Sequence, residues 1–139
     1  MASPVAATVI RGPLPSDAAV LAALATQLGY PTDPTEMSER LAAVGANQLA
    51  AVFVAARPQD RPLGWIHVEL KRSLASSGNA LVAGLVVDEA ARSAGIGRRL
   101  LDRAEAWARE HGCQTMQVAS RRTRERAHRF YLREGYTVL

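Results

Sequence analysis

The passage from Leu85 to Arg98, Leu-Val-Val-Asp-Glu-Ala-Ala-Arg-Ser-Ala-Gly-Ile-Gly-Arg, limits the fold of this chain more than any other. An apolar run of strand type gives way to a loop. From Ile96 onward Leu100, Leu101, Ala104, Trp107 and Ala108 recur at helical spacing. Gly95 and Gly97 therefore stand at the mouth of a helix. The first helical turn has unpaired N–H groups and a partial positive charge, which together attract phosphate. Glycine lets the backbone come close to such an anion, and Arg92, Arg98 and Arg99 add positive charge around the same point. A P-loop needs Gly-Lys-Ser/Thr after four intervening residues, and this chain has none. The dinucleotide fingerprint needs a third glycine where Leu100 stands. Arg-x-x-Gly-x-Gly is left, a short pattern that a glycine-bearing helix cap also satisfies.

Around that turn the elements read as one domain, residues 1–139. Thr8 to Ile10 is a short apolar segment. Pro13, Pro15 and Ser16 break it, and Ser16 is placed to cap a helix over 17–28 that Gly29 ends. Asp33-Pro34-Thr35-Glu36 is a stronger start signal, with Asp33 as cap, Pro34 at the first helical position and Glu36 closing a capping box. That helix ends near Gly45. Strand-like segments follow over 49–55, 64–70 and 80–87, parted by the breakers of 57–62 and by a turn at Ser76-Ser77-Gly78-Asn79. Connections this short favour antiparallel neighbours, because a parallel crossover needs roughly a dozen residues or more. Gly112 stops the helix from Ile96, 115–119 is a short strand, and 123–134 is a last helix. Strand, helix and strand in that order make a parallel crossover. The expected fold is α/β (α+β): a mixed, mostly antiparallel central sheet with helices on both faces.

Composition narrows the chemistry. Cys113 is alone, which excludes an intrachain disulfide and a cysteine-based zinc cluster; no metal is expected. The longest apolar stretch, 49–56, falls far short of the ~20 residues that cross a bilayer. The N-terminus lacks a signal-peptide pattern, so the chain reads as soluble and cytoplasmic, without a membrane partner. A net charge of +4 suits an anionic ligand without choosing one. Arg121, Arg122, Arg124 and Arg126 form a basic run of the kind that is usually a solvated face. Nucleic-acid motifs and interleaved aromatics are missing, and no nucleic-acid partner is expected.

A second cluster lies a strand and a loop beyond the glycine turn: Ala127-His128-Arg129-Phe130-Tyr131-Leu132-Arg133-Glu134-Gly135-Tyr136. Here the chain resembles the GCN5-related N-acetyltransferases (GNAT). Their pyrophosphate loop reads Gln/Arg-x-x-Gly-x-Gly/Ala, and a later helix carries Ala-x-x-Phe-Tyr followed by Gly-Phe/Tyr. Both motifs match in order and spacing, and the resemblance is strongest from Gly64 to Tyr136.

The resemblance implies an acyl-CoA N-acyltransferase (GNAT) fold, with acetyl-CoA as cosubstrate. It implies direct attack on the acetyl thioester by a primary amine of a small molecule or peptide. The backbone of Leu85, Val86 and Val87 would hold the pantetheine arm, with a strand amide there, of Val86 or Val87, facing the oxyanion. The next strand would splay away and leave a slot for the cofactor. The amides around Arg92, Ser93, Ala94, Gly95, Ile96, Gly97 and Arg98 would hold the pyrophosphate. Tyr131 corresponds to the tyrosine that faces the thioester sulfur, and Phe130 reads as core. An alkyl amine of pKa ~10.4 is only about 0.1% neutral at pH ~7.4, a deficit of roughly 4 kcal/mol, so a base is required. Proton transfer from a tyrosine of pKa ~10 to a thiolate of pKa ~8.5 runs uphill by about 2 kcal/mol. Tyr131 is thus expected to stabilise the sulfur by hydrogen bonding at least as much as by full proton transfer.

The base departs from a common family pattern, because 80–87 holds no ionisable side chain. Glu69 is the candidate, with His67 as alternative; they lie two apart on one strand face with Trp65 beside them, and either could act through water. A solvated strand face and an ordinary hydrogen-bonded histidine are the plain readings of the pair. Family members often have an asparagine just after the strand near Ala119, where this chain has Ser120 and Arg121. The first two helices and the loop from Ser73 to Asn79 are expected to form the acceptor pocket. Members usually continue past Gly-Tyr with a further strand, whereas this sequence stops at Leu139. The expectation is a domain lacking that strand, by truncation or because a partner in a homodimer fills the gap, since an open sheet edge is generally avoided. A non-catalytic acyl-CoA-binding regulatory module is the alternative reading.

Overall fold

A computed structural model of the protein describes residues 8–57, 61–74, 76–92, 95–113 and 115–118. In chain order the elements are β1 (Val9–Arg11), a 3-10 turn (Pro15–Asp17), α1 (Ala18–Gln27), α2 (Pro34–Gly45) and β2 (Ala50–Ala56). There follow β3 (Pro62–Ser73), β4 (Ser76–Val87), a second 3-10 turn (Glu89–Ala91), α3 (Ile96–Glu110) and β5 (Met116–Val118). The sheet order is β1-β2-β3-β4-β5. The first three pairings are antiparallel, and β4 pairs β5 in parallel, with α3 as the crossover. The mixed, mostly antiparallel sheet is therefore present. The last helix expected over 123–134 lies outside the described residues.

Alternation along β2 explains the two layers of helix. Phe53 and Ala55 join the cluster built on α3, while Val54 and Ala56 join the one built on α1 and α2. On the α3 side Ile96, Leu100, Leu101 and Ala104 are buried against Ile66, Val68 and Val82. Burying each leucine contributes roughly 1.5–3 kcal/mol. On the other side Leu21, Leu24 and Met37 pack over Val54 and Val86. Cys113 is buried. Among the described residues no helix is long and apolar enough to cross a membrane.

Helix starts differ from the sequence expectation at one place. Asp33 caps α2 as expected: it accepts the Glu36 N–H at 2.8 Å, and Glu36 accepts the Asp33 N–H at 3.3 Å. Ser16, by contrast, is exposed and does not cap α1. The buried Asp17 does the local work, accepting the Leu14 N–H at 2.7 Å while the Arg11 guanidinium grips it at 2.8 and 3.1 Å. Asp17 stands at the N-cap position of α1, but its carboxylate turns back to Leu14 and Arg11 and accepts no N–H of that helix.

Two irregularities shape β4. Ser73 pairs with Ser76 and Lys71 with Asn79, so the strand has resumed by Ser76. Ser76 to Asn79 is thus strand and not the expected turn, with Gly78 at φ +112° taking up the register shift. Further along, Val68 pairs with Val82 but His67 pairs with Gly84, which leaves Ala83 as an inserted residue. Before it Ala80 and Val82 face the α3 cluster; after it Leu85 and Val87 pack against that cluster, and Val86 faces α1 and α2. One extra residue has reversed the alternation.

Candidate active site

After Val87 the chain enters the glycine loop. Asp88 accepts the Ala90 N–H at 3.2 Å and starts the second 3-10 turn. Arg92 folds back, donating from Nε to the Val87 carbonyl at 3.1 Å, with Glu89 at 3.8 Å. Its side chain therefore ties the loop to the end of β4. Ser93 and Ala94 lie outside the described residues. Gly95 has φ +82° and no atom within 4 Å of where a Cβ would sit. It brings no side chain to cap α3. Ile96 is buried, which leaves only its backbone for the helix mouth. The charge of Arg98, expected at the loop, is engaged along the helix: Nε donates to Asp102 at 2.8 Å, and Glu105 lies at 3.5 Å. An uncapped, glycine-lined helix mouth beside open space fits a pyrophosphate held by backbone N–H groups.

The opposite face of the sheet carries a cavity of about 390 Å³. Its walls are α1 and α2 with the segment between them, and its floor is Val52, Trp65, His67, Ala83 and Gly84. Trp65 Nε1 donates to the Leu21 carbonyl at 3.3 Å, which fixes the indole under α1. Gly84 has no Cβ because one would fall 2.9 Å from that ring. The first two helices thus wall this cavity. No described residue of 73–79 lines it; Arg72, just before that segment, donates to the His111 carbonyl at the far end of α3 at 2.7 Å.

His67 and Glu69 differ sharply in setting. The His67 imidazole lines the cavity, and its Nε2 is buried without a hydrogen-bond partner. Glu69 Oε1 lies 3.3 Å from that nitrogen, close enough for charge attraction but off line for a hydrogen bond. Burial pushes the imidazole below the ordinary histidine value; the Glu69 charge opposes this and Lys71 adds to it. Glu69 itself binds Lys71 Nζ at 2.8 Å, and this hydrogen bond holds its carboxyl below the usual range. Glu69 is not among the cavity's lining residues. Tyr131 lies outside the described residues.

The sequence reading missed Arg40, Gly84 and the inserted Ala83. An isolated glycine within a strand signals a bulge or a close backbone approach, so Gly84 was open to detection. Arg40, on an ordinary helix surface, carries no such signal.

A sheet whose fourth strand ends at a glycine-lined helix mouth and carries a ligand-sized cavity on its face suits the class of acyl-CoA-dependent transferases. Comparison with known proteins agrees. The sequence profile of the Acetyltransferase (GNAT) family matches residues 19–136, and the chain belongs to this family. It is 32% identical over 126 residues to the aminoglycoside N(6')-acetyltransferase type 1 of Stenotrophomonas maltophilia, covering 88% of this chain and 81% of that protein. A transcriptional regulator from Bacillus halodurans C-125 has the same fold, with a TM-score of 0.82 at 22% identity over 94% of this chain and 93% of the other. So has the aminoglycoside N-acetyltransferase AAC(6')-Iy in complex with CoA, with a TM-score of 0.81 at 16% identity over 94% and 88%. The protein is an acetyl-CoA-dependent N-acetyltransferase that acts on an amine.

Proposed function

We propose that residues 1–139 form one N-acetyltransferase domain in which a primary amine seated in the cavity attacks acetyl-CoA directly. One observation carries this reading: the stretch 83–87 of β4 begins at the cavity floor and ends at the glycine loop, so one strand borders both substrates. Acetyl-CoA supplies the acetyl thioester; the neutral amine nitrogen bonds to its carbonyl carbon, the C–S bond breaks, and the thiolate leaves and takes up the proton that the acylated nitrogen gives up.

The chain's own residues do the rest. Backbone groups of Leu85, Val86 and Val87 hold the pantetheine arm, and the amides of Arg92, Ser93, Ala94, Gly95, Ile96, Gly97 and Arg98 hold the pyrophosphate. His67 accepts the ammonium proton. Its depressed basicity keeps it neutral at physiological pH, and its buried nitrogen has no competing hydrogen bond. Glu69, a weak base by itself while Lys71 holds it, favours the imidazolium that results. Tyr131 stabilises the leaving sulfur.

Coenzyme A titrated calorimetrically should give saturable heat with the wild-type protein and none with Gly97→Val. Tight binding by that variant refutes the loop placement. In a thiol-release assay Tyr131→Phe should lower kcat more than it weakens cofactor binding. An unchanged kcat removes Tyr131 from the mechanism. Cofactor affinity without thiol release on any amine would reduce the protein to a binding module.

A further inference from the structure

We infer that the acceptor is a primary amine on an apolar, aromatic-sized body whose only other charge is a carboxylate, and not a polycation such as an aminosugar or polyamine. The inference rests on the acetyltransferase reading and on the cavity as its acceptor site.

The lining carries the argument. Leu21, Ala25, Met37, Leu41, Val52 and Trp65 make it chiefly apolar. Its volume of about 390 Å³ sits at the small end of the ~300–1,000 Å³ range of ligand sites. Gly84 leaves the indole of Trp65 lying against β4 as an apolar shelf. Among the described residues no carboxylate lines the cavity. A second ammonium entering it would be desolvated without a counter-charge.

It would also meet Arg40, the one arginine or lysine among the described lining residues. This guanidinium donates to Thr32 Oγ1 at 3.3 Å and pairs with Glu36 at 3.4 Å. Both contacts are long and the Glu36 pair is exposed, so they hold the group only loosely. With five N–H donors in a planar fork, arginine has capacity left for a ligand carboxylate. Glu36 and Asp33 lie near this guanidinium outside the lining, so Arg40 is the one full charge among the described lining residues; there it opposes a second ammonium and offers a partner to one carboxylate, at the end formed by Thr32 and Arg40. Deprotonation by His67 is needed once only, at the reacting nitrogen.

Thiol release from acetyl-CoA tests this with the dipeptide Phe-Gly, its C-terminal amide, kanamycin and spermidine as acceptors. The acid should exceed the amide in kcat/KM by about ten-fold, and kanamycin and spermidine should fall at least about a hundred-fold below the acid. Arg40→Gln should lower the acid about ten-fold more than the amide. Because Arg40 is exposed on α2, the variant should fold, and the amide's turnover reports that it has. Highest kcat/KM on kanamycin or spermidine, or equal losses for acid and amide, overturns the acceptor assignment and leaves the acetyltransferase reading standing. No thiol release from any amine by protein that still binds coenzyme A overturns both.

Discussion

A Cβ at Gly84 on β4 would lie 2.9 Å from Cζ3 and 3.0 Å from Cη2 of Trp65 on β3. The indole is anchored at its other end by the hydrogen bond to the Leu21 carbonyl. Gly84→Ala must tilt the ring and strain that bond. We expect a loss of about 1–3 kcal/mol in denaturant unfolding. The KM for the amine should rise several-fold while that for acetyl-CoA holds. Equal changes in both would remove Trp65 from the acceptor side.

Gly64 meets harder atoms. A Cβ there would come 2.8 Å from the Val86 carbonyl oxygen and 3.3 Å from Leu100 Cδ1. Strand backbone cannot rotate away as a side chain can. Gly64→Ala should therefore destabilise more than Gly84→Ala, by about 3 kcal/mol. It should also weaken coenzyme A in calorimetry by shifting Val86. A variant as stable as the wild type would show that β3 and β4 can part there at little cost.

At Gly95 space is free and only the backbone objects, since φ is +82° with no atom within 4 Å of the missing Cβ. Gly95→Ala should cost about 1–2 kcal/mol from the left-handed conformation alone. Gly95→Asn should recover part of that, because asparagine tolerates this region. Equal melting temperatures for the two variants would count against a conformational origin.

With His67 as the proposed base, its neutral form is the active one, and burial lowers its proton affinity. The acid limb of kcat/KM should thus fall below the ordinary histidine value of ~6.5. Glu69 raises that affinity, so Glu69→Gln moves the limb to lower pH. Lys71 lowers that affinity, so Lys71→Met should move the limb upward. A limb that ignores both substitutions would exclude His67 as base.

Asp17 supplies a stability test. Burial alone would raise its carboxyl; the Arg11 hydrogen bond, the Leu14 N–H and the Arg11 charge outweigh this and lower it. A depressed carboxylate stabilises above its unfolded value of ~3.9 and loses that contribution as pH falls through the folded value. Asp17→Asn should therefore cost about 2 kcal/mol at pH ~7, as for a hydrogen bond to a charged group. The gap between variant and wild type should close in acid below pH ~4. A pH-independent difference would assign the loss to packing.

Much of this architecture could be read from one sequence because its signals are local. The Asp33 capping box, the helical period after Ile96 and the glycine pair before it each need only neighbouring residues. Ser16 and Asp17 are both cap-type residues, yet neither side chain caps α1, because Arg11 on another element holds the Asp17 carboxylate. The inserted residue at Ala83 exists only in the pairing of β4 with β3, and no pattern within 80–87 reveals it. The preference for His67 over Glu69 likewise needs tertiary facts: one side chain lines the cavity, and a lysine holds the other.

Because the pleat changes phase at Ala83, β4 behaves as two half-strands set back to back. Were Ala83 drawn into the ladder as an ordinary paired residue, every side chain from Gly84 onward would exchange sides. Leu85 would turn into the cavity and Val86 away from its layer beneath α1, while the entry to the glycine loop swung round with them. Leaving that one residue out of the pairing keeps Gly84 and Val86 on the cavity side while Ala80 and Val82 hold to α3.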